Sequence, residues 1–139
     1  MKWIHVVLII LMVGCAGPMH SYHTVRESFK TVDLSDGVDR GEAVWVSLNT
    51  ILDKGLGDRL YGLKPLSVKK YYIWDADGEI VELQGPPSAG FKYDVQQKWV
   101  VLFKDKENTY FFGLYPVIPF YVELDALTGE VLGWGLKTD

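Results

Sequence analysis

The chain has 139 residues, a formal net charge of −4 and one cysteine. The acidic balance argues against a nucleic-acid binder, which carries a basic excess, and against electrostatic attachment to an anionic bilayer. A lone cysteine cannot build a disulfide framework within the chain, and the length suits one domain with a core that needs no covalent staples.

The chain opens Met1-Lys2-Trp3 and then runs apolar from Ile4 to Val13, with His5 as the polar interruption. About ten residues are too few for a membrane-spanning helix, which needs roughly twenty. A positive start, a short apolar run and the small residues Gly14, Cys15, Ala16 and Gly17 have the form of a secretory signal. Leu11-Met12-Val13-Gly14-Cys15 resembles the lipobox of bacterial lipoproteins. That resemblance implies a diacylglyceryl group on the Cys15 thiol, cleavage just before it and acylation of the new amine. Residues 1–14 are then a signal peptide and 15–32 a lipidated N-terminus and tether, followed by one domain over 33–139. Each buried lipid methylene adds about 0.8 kcal/mol of membrane affinity, so Cys15 is the expected membrane anchor. In the same family an aspartate after the cysteine marks inner-membrane retention. Ala16 stands there instead, which implies the outer membrane if the cell has two.

Gly17 and Pro18 open the tether. Val25, Phe29 and Val32, at spacings of four and three, suggest a short helix over 25–32. Asp33 to Asp39 is a polar break. Asp39 is a good N-cap, with Glu42 three residues on to complete a capping box. Ala43 to Lys54 reads as the main helix. Val44, Leu48, Ile51 and Leu52 share a face, Trp45 lies beside them, and Glu42, Asn49 and Asp53 point away. Gly55 and Gly57 supply the stop.

Beyond Pro65 the period shortens. Ser67 to Trp74 and Glu79 to Leu83 read as antiparallel strands around the Asp77-Gly78 turn. Gln84 to Gly90 is a Gly/Pro loop. Tyr93 to Lys104 contains Trp99-Val100-Val101-Leu102-Phe103, apolar on both faces and therefore a central strand. Tyr110 to Ile118 is aromatic and broken by Pro116. Phe120 to Asp125 puts Phe120, Val122 and Leu124 inward and Tyr121 and Glu123 outward, and Glu130 to Trp134 closes the sheet. The expected fold is α+β, one main helix packed on a four- to five-stranded antiparallel sheet. Trp74-Asp75-Ala76-Asp77-Gly78-Glu79 is echoed by Leu124-Asp125-Ala126-Leu127-Thr128-Gly129-Glu130. Two hairpins built alike account for that echo.

The tail, Phe120 through Asp125-Ala126-Leu127-Thr128-Gly129-Glu130-Val131 to Leu132, resembles the closing hairpin of PepSY-type domains, and Trp99 to Phe103 resembles the strand before it. A helix preceding an antiparallel sheet is similar to the wider cystatin-like architecture. The resemblance implies an envelope-associated domain, in some members one that restrains proteases, without a catalytic set.

His20 and His23 lie in the tether and have no thiol or ordered carboxylate with which to form a metal site. Asp33, Asp36 and Asp39 are spaced by three, unlike the alternating ligands of a calcium loop. Asp75 to Glu79 reads as a plain hairpin. A nucleophile needs a base within hydrogen-bond reach, and no such set is apparent. The expected body is therefore non-catalytic, with no metal and no cofactor. Phe111, Phe112 and Tyr115, with Tyr121, are the candidate partner-binding residues, and Tyr72 and Trp74 extend them across the outer sheet face. The same aromatic loop could instead close the core. The expected role is to bind or restrain another envelope protein. The alternatives are an assembly or structural subunit of an envelope complex, or a small-ligand domain resembling nuclear transport factor 2.

Overall fold

The structure, a computed structural model, describes residues 21–105 and 119–136. Helix α1 is Tyr22–Lys30 and α2 is Arg40–Asp53, followed by a 3-10 turn at Gly57–Arg59. Five strands follow: β1 Leu60–Ala76, β2 Glu79–Leu83, β3 Gln96–Asp105, β4 Phe120–Asp125 and β5 Val131–Leu136. They form one antiparallel sheet in the order β2-β1-β3-β4-β5. The fold is α+β, with two helices rather than one main helix.

The second helix comes from residues assigned to the tether. Ser21 caps α1 by accepting from the Thr24 N–H at 3.1 Å. Val25 is fully buried, and Phe29 and Val32 pack against the core. Arg26 Nη1 donates to Asn49 Oδ1 at 2.6 Å and to Asp53 Oδ1 at 2.5 Å, fastening α1 along α2. The packed body therefore already includes residues 21–32. The same contact corrects the outward placement of Asn49, which is buried because α1 covers that side of α2.

Asp39 and Glu42 form the expected capping box: the Glu42 N–H donates to Asp39 at 2.8 Å and the Asp39 N–H to Glu42 at 2.9 Å. Ala43, Val46, Ser47, Leu48, Asn49 and Ile51 are buried over a broad arc, since α2 lies between α1 and the sheet. Beneath it are Val101 and Phe103 of β3 and Phe120, Val122 and Leu124 of β4. At the far end of α2, Gly57 has no room for a Cβ, which would meet Leu52 at 2.6 Å and the Tyr22 hydroxyl at 2.7 Å. The Tyr22 hydroxyl donates to Asp58.

Strand β1 begins before Pro65. The register slips on both sides of that proline, and Leu63 takes a φ of 51°. Proline is tolerated at such bulges. The expected Asp77-Gly78 turn has φ of 54° and 88°, the left-handed pair that a two-residue hairpin turn requires. The Asp75 carboxylate accepts from the Gly78 N–H at 2.8 Å, and the Asp125 carboxylate accepts from Leu127 and Thr128 at 2.8 and 3.0 Å. The sequence echo is thus a shared use of aspartate to hold a turn.

Two predictions follow from this packing. Leu48→Ala should cost about 2–5 kcal/mol, whereas Asp53→Ala should cost no more than about 1 kcal/mol, because its ion pair is exposed; urea unfolding measures both. The hydrogen bond to Asp58 raises the Tyr22 pKa above its ordinary value. A raised folded-state pKa gives stabilisation that is complete below the unfolded value of about 10 and lost as pH climbs through the folded one. Tyr22→Phe should therefore remove an alkaline component of the stability–pH profile and leave the neutral region without a new slope.

Candidate interaction surface

Pairing register decides which aromatic groups can share a face. Val68, Lys70 and Tyr72 of β1 pair with Val101, Trp99 and Gln97, all on the side that carries the helices. Trp74, two residues on, lies on that side as well. Tyr121 pairs with Leu102 on the other side. The expectation that Tyr72, Trp74 and Tyr121 line one outer patch is therefore corrected. A single run of alternation fixes faces within a strand, but not between strands whose register is unknown.

On the helix side, Trp74 stacks on Tyr93 with centroids 4.7 Å apart and planes at 28°. Phe91 meets both rings edge-on, at 5.7 Å from Trp74 and 5.8 Å from Tyr93. The loop between β2 and β3 brings Phe91 and Tyr93 there, helped by a Phe91 N–H bond to the Ser88 carbonyl at 3.0 Å. Lys70 sits beside this group, 5.6 Å from the Tyr72 ring and 5.5 Å from Trp99. Trp99 in turn donates to the Val38 carbonyl at 2.7 Å, which fixes the loop before α2 to the sheet. An open groove of about 400 Å³ runs between that loop and the strands, lined by Asp36, Asp39, Arg40, Lys70, Trp99 and Leu127 among others. The three rings brace one another, and Tyr93 is 59% exposed. The arrangement is a preformed aromatic platform and, four residues back along the same face of β1 at Lys70, a groove carrying both signs of charge. The sequence reading did not single out Phe91, Tyr93 or Lys70. The available signal was the alternation Lys70, Tyr72, Trp74 and Phe91, Tyr93.

On the other face, the Tyr121 ring lies 3.8 Å from the positions that side chains on Gly133 and Gly135 would take. It covers the glycines of β5, so at least part of the ring serves the sheet. Lys98 and Glu123 pair there at 3.4 Å, and Lys69 reaches Glu82 at 3.9 Å while lying 4.5 Å over the Tyr71 ring. Cys15, His20, Phe111, Phe112 and Tyr115 lie outside the described residues.

The remaining polar candidates serve local structure. Ser35 donates its hydroxyl at 2.6 Å and its N–H at 2.9 Å to Asp33, which holds that carboxyl below its usual range. Lys30 does the same for Glu27 from 2.8 Å. Among the described residues no group of three His, Cys, Asp or Glu side chains converges as metal ligands. No family model matches the chain, and no curated protein or solved structure matches it either.

If the platform stands outside the core, Tyr93→Ala should lower stability only by the worth of an aromatic pair, about 0.5–1.5 kcal/mol. It should also change the near-UV circular dichroism that stacked rings produce. A loss of several kcal/mol would instead make these rings part of the core.

Proposed function

We infer that the protein is a lipid-anchored envelope lipoprotein whose domain binds or restrains another envelope protein without catalysing a reaction. The observation that carries the binding role is the Trp74–Phe91–Tyr93 platform. Its rings are held in place before any partner arrives, so binding orders little new structure. Aromatic side chains are also enriched at protein interfaces. The groove beside it adds Lys70 and Arg40 against Asp36 and Asp39, polar groups suited to the rim of such a contact. The anchor rests on Leu11 to Cys15, and the outer membrane on Ala16. The hairpin of β4 and β5, turning on Asp125 to Gly129, is what supports a PepSY-like reading of the body.

Crosslinking in intact envelopes tests this reading, with tagged wild type, Cys15→Ser and Tyr93→Ala. Wild type should capture one dominant protein. Tyr93→Ala should remain membrane-bound and lose most of that capture. Cys15→Ser should accumulate as an unprocessed, lipid-free precursor. Undiminished lipid labelling in Cys15→Ser would eliminate the anchor, and undiminished capture by Tyr93→Ala would eliminate the platform.

A further inference from the structure

The described sheet offers three free strand edges, and they are not alike. The outer edge of β2 carries Glu79 and Glu82 in five residues. β2 pairs with β1 only from Tyr72 to Ala76, so the earlier part of β1 has a second free edge. That stretch holds Lys64, Pro65, Lys69 and Lys70, with register slips around the proline. Charge, proline and bulges are the usual protection against adding a further strand. The edge of β5 has none of the first two. It reads Val-Leu-Gly-Trp-Gly-Leu, and Leu132, Trp134 and Leu136 are 41%, 42% and 37% exposed. Its one register shift is a bulge at Leu132, the extra residue between Gly133 and Val131, which pair with Glu123 and Leu124; Leu132 still lines the helix-side groove with Trp134.

We propose that β5 pairs antiparallel with β5 of a second copy, about a two-fold axis through Trp134. An axis perpendicular to the sheet keeps each face on its own side, so only residues of equal parity can meet. With Trp134 on the axis, it faces Trp134 of the second copy, and Leu136 comes opposite the bulged Leu132 in both directions. All three exposed apolar side chains are then covered together. On the opposite face Gly133 meets Gly135, with no side chain to clash. Centring the axis on Gly133 instead would set Leu136 against Glu130. The strand's own pattern therefore selects both the occupant and the register.

The surroundings fit. Trp134 is held on the helix side by Phe120, 6.0 Å between ring centroids, and by Lys54, 5.6 Å from its centroid. Beside it lies an open groove of about 530 Å³ between the end of α2 and β5, lined by Thr50, Asp53, Lys54 and Leu132 among others. Leu136 of the second copy, opposite Leu132, would sit at its mouth. Two five-stranded sheets would join into one continuous sheet with all helices on one side. A six-residue strand pair is smaller than the interface of at least about 1,200 Å² typical of a stable complex. The dimer is therefore concentration-dependent. It depends neither on the anchor nor on any other partner.

The test uses the full chain carrying Cys15→Ser, solubilised in detergent, so that an introduced thiol is the only one. Trp134→Cys would place two thiols across the axis, at the 4.5–5.5 Å Cα separation (roughly) of paired strand residues, which a disulfide can span. Ile80→Cys, on the β2 edge and 75% exposed, is the control. Oxidation should trap Trp134→Cys dimers about tenfold faster than Ile80→Cys, the advantage of a preformed encounter. In sedimentation, the parent chain should move from monomer to dimer with concentration. Trp134→Lys and, independently, Leu136→Lys should remain monomeric with unchanged circular dichroism. A monomer at every concentration, equal trapping rates, or a dimer that survives both lysines overturns the pairing. So does a monomer whose Trp134→Lys variant loses a captured foreign protein, since that assigns the edge to a heterologous strand.

Discussion

The packing of α2 across β3 and β4 is the constraint on which the rest depends. Leu48 and Ile51 share one buried cluster with Val101, Phe103, Val122 and Leu124. Full burial of each such side chain contributes roughly 1.5–3 kcal/mol before entropy. The helix can lie there only if both its ends are settled. The capping box satisfies the first turn, and Gly55, with a φ of 70°, lets the chain leave the last one. The loop before α2 is then held between the helix and sheet by three bonds in series: Trp99 to Val38, Val38 to Ala126 at 2.8 Å and Ala126 to Gln97 at 2.8 Å. This loop is one wall of the groove beside the aromatic platform.

Position over the central strands also explains what α2 leaves uncovered. One helix, flanked by α1, cannot roof five strands. At one side the helix face of β1 receives its cover from the loop after β2, through Phe91 and Tyr93 stacked on Trp74. At the other side Trp134 is only partly sheltered, by Phe120 and by the Lys54 ammonium over its ring. The two surfaces differ in kind. The first offers side chains on a closed face. The second offers a strand edge, where backbone groups do the pairing and side chains set the register.

Elements with purely local chemistry were legible in the sequence. Asp39 with Glu42 marked the start of α2, Asp77-Gly78 marked a hairpin, and Phe120, Val122 and Leu124 marked the inward side of β4. Features settled by tertiary contact were not. Asn49 looked like a solvated residue until Arg26, on a helix the sequence placed in a tether, supplied its partner. The strand was expected only beyond Pro65, because a bulge that absorbs a proline depends on pairing with β3. Tyr72 and Trp74 were seen as exposed aromatics but assigned to the wrong face, since face follows from inter-strand register. Phe91 and Tyr93 sit in a loop, where their alternation alone does not say which strand they reach. Of the platform's three rings, the sequence singled out Trp74, and the structure supplied Phe91 and Tyr93.

The arrangement of ends gives these surfaces an orientation. Helices α1 and α2 run antiparallel, so Tyr22 meets Asp58 beyond the C-terminal end of α2 while Val38 meets Trp99 at its N-terminal end. The aromatic platform lies toward the Trp99 end, and Trp134, touching Lys54, lies toward the other. Fourteen helical residues separate these ends by about 21 Å. A self-pairing edge at Trp134 and a partner on the aromatic face would therefore use different ground, because α2 holds them at its opposite ends.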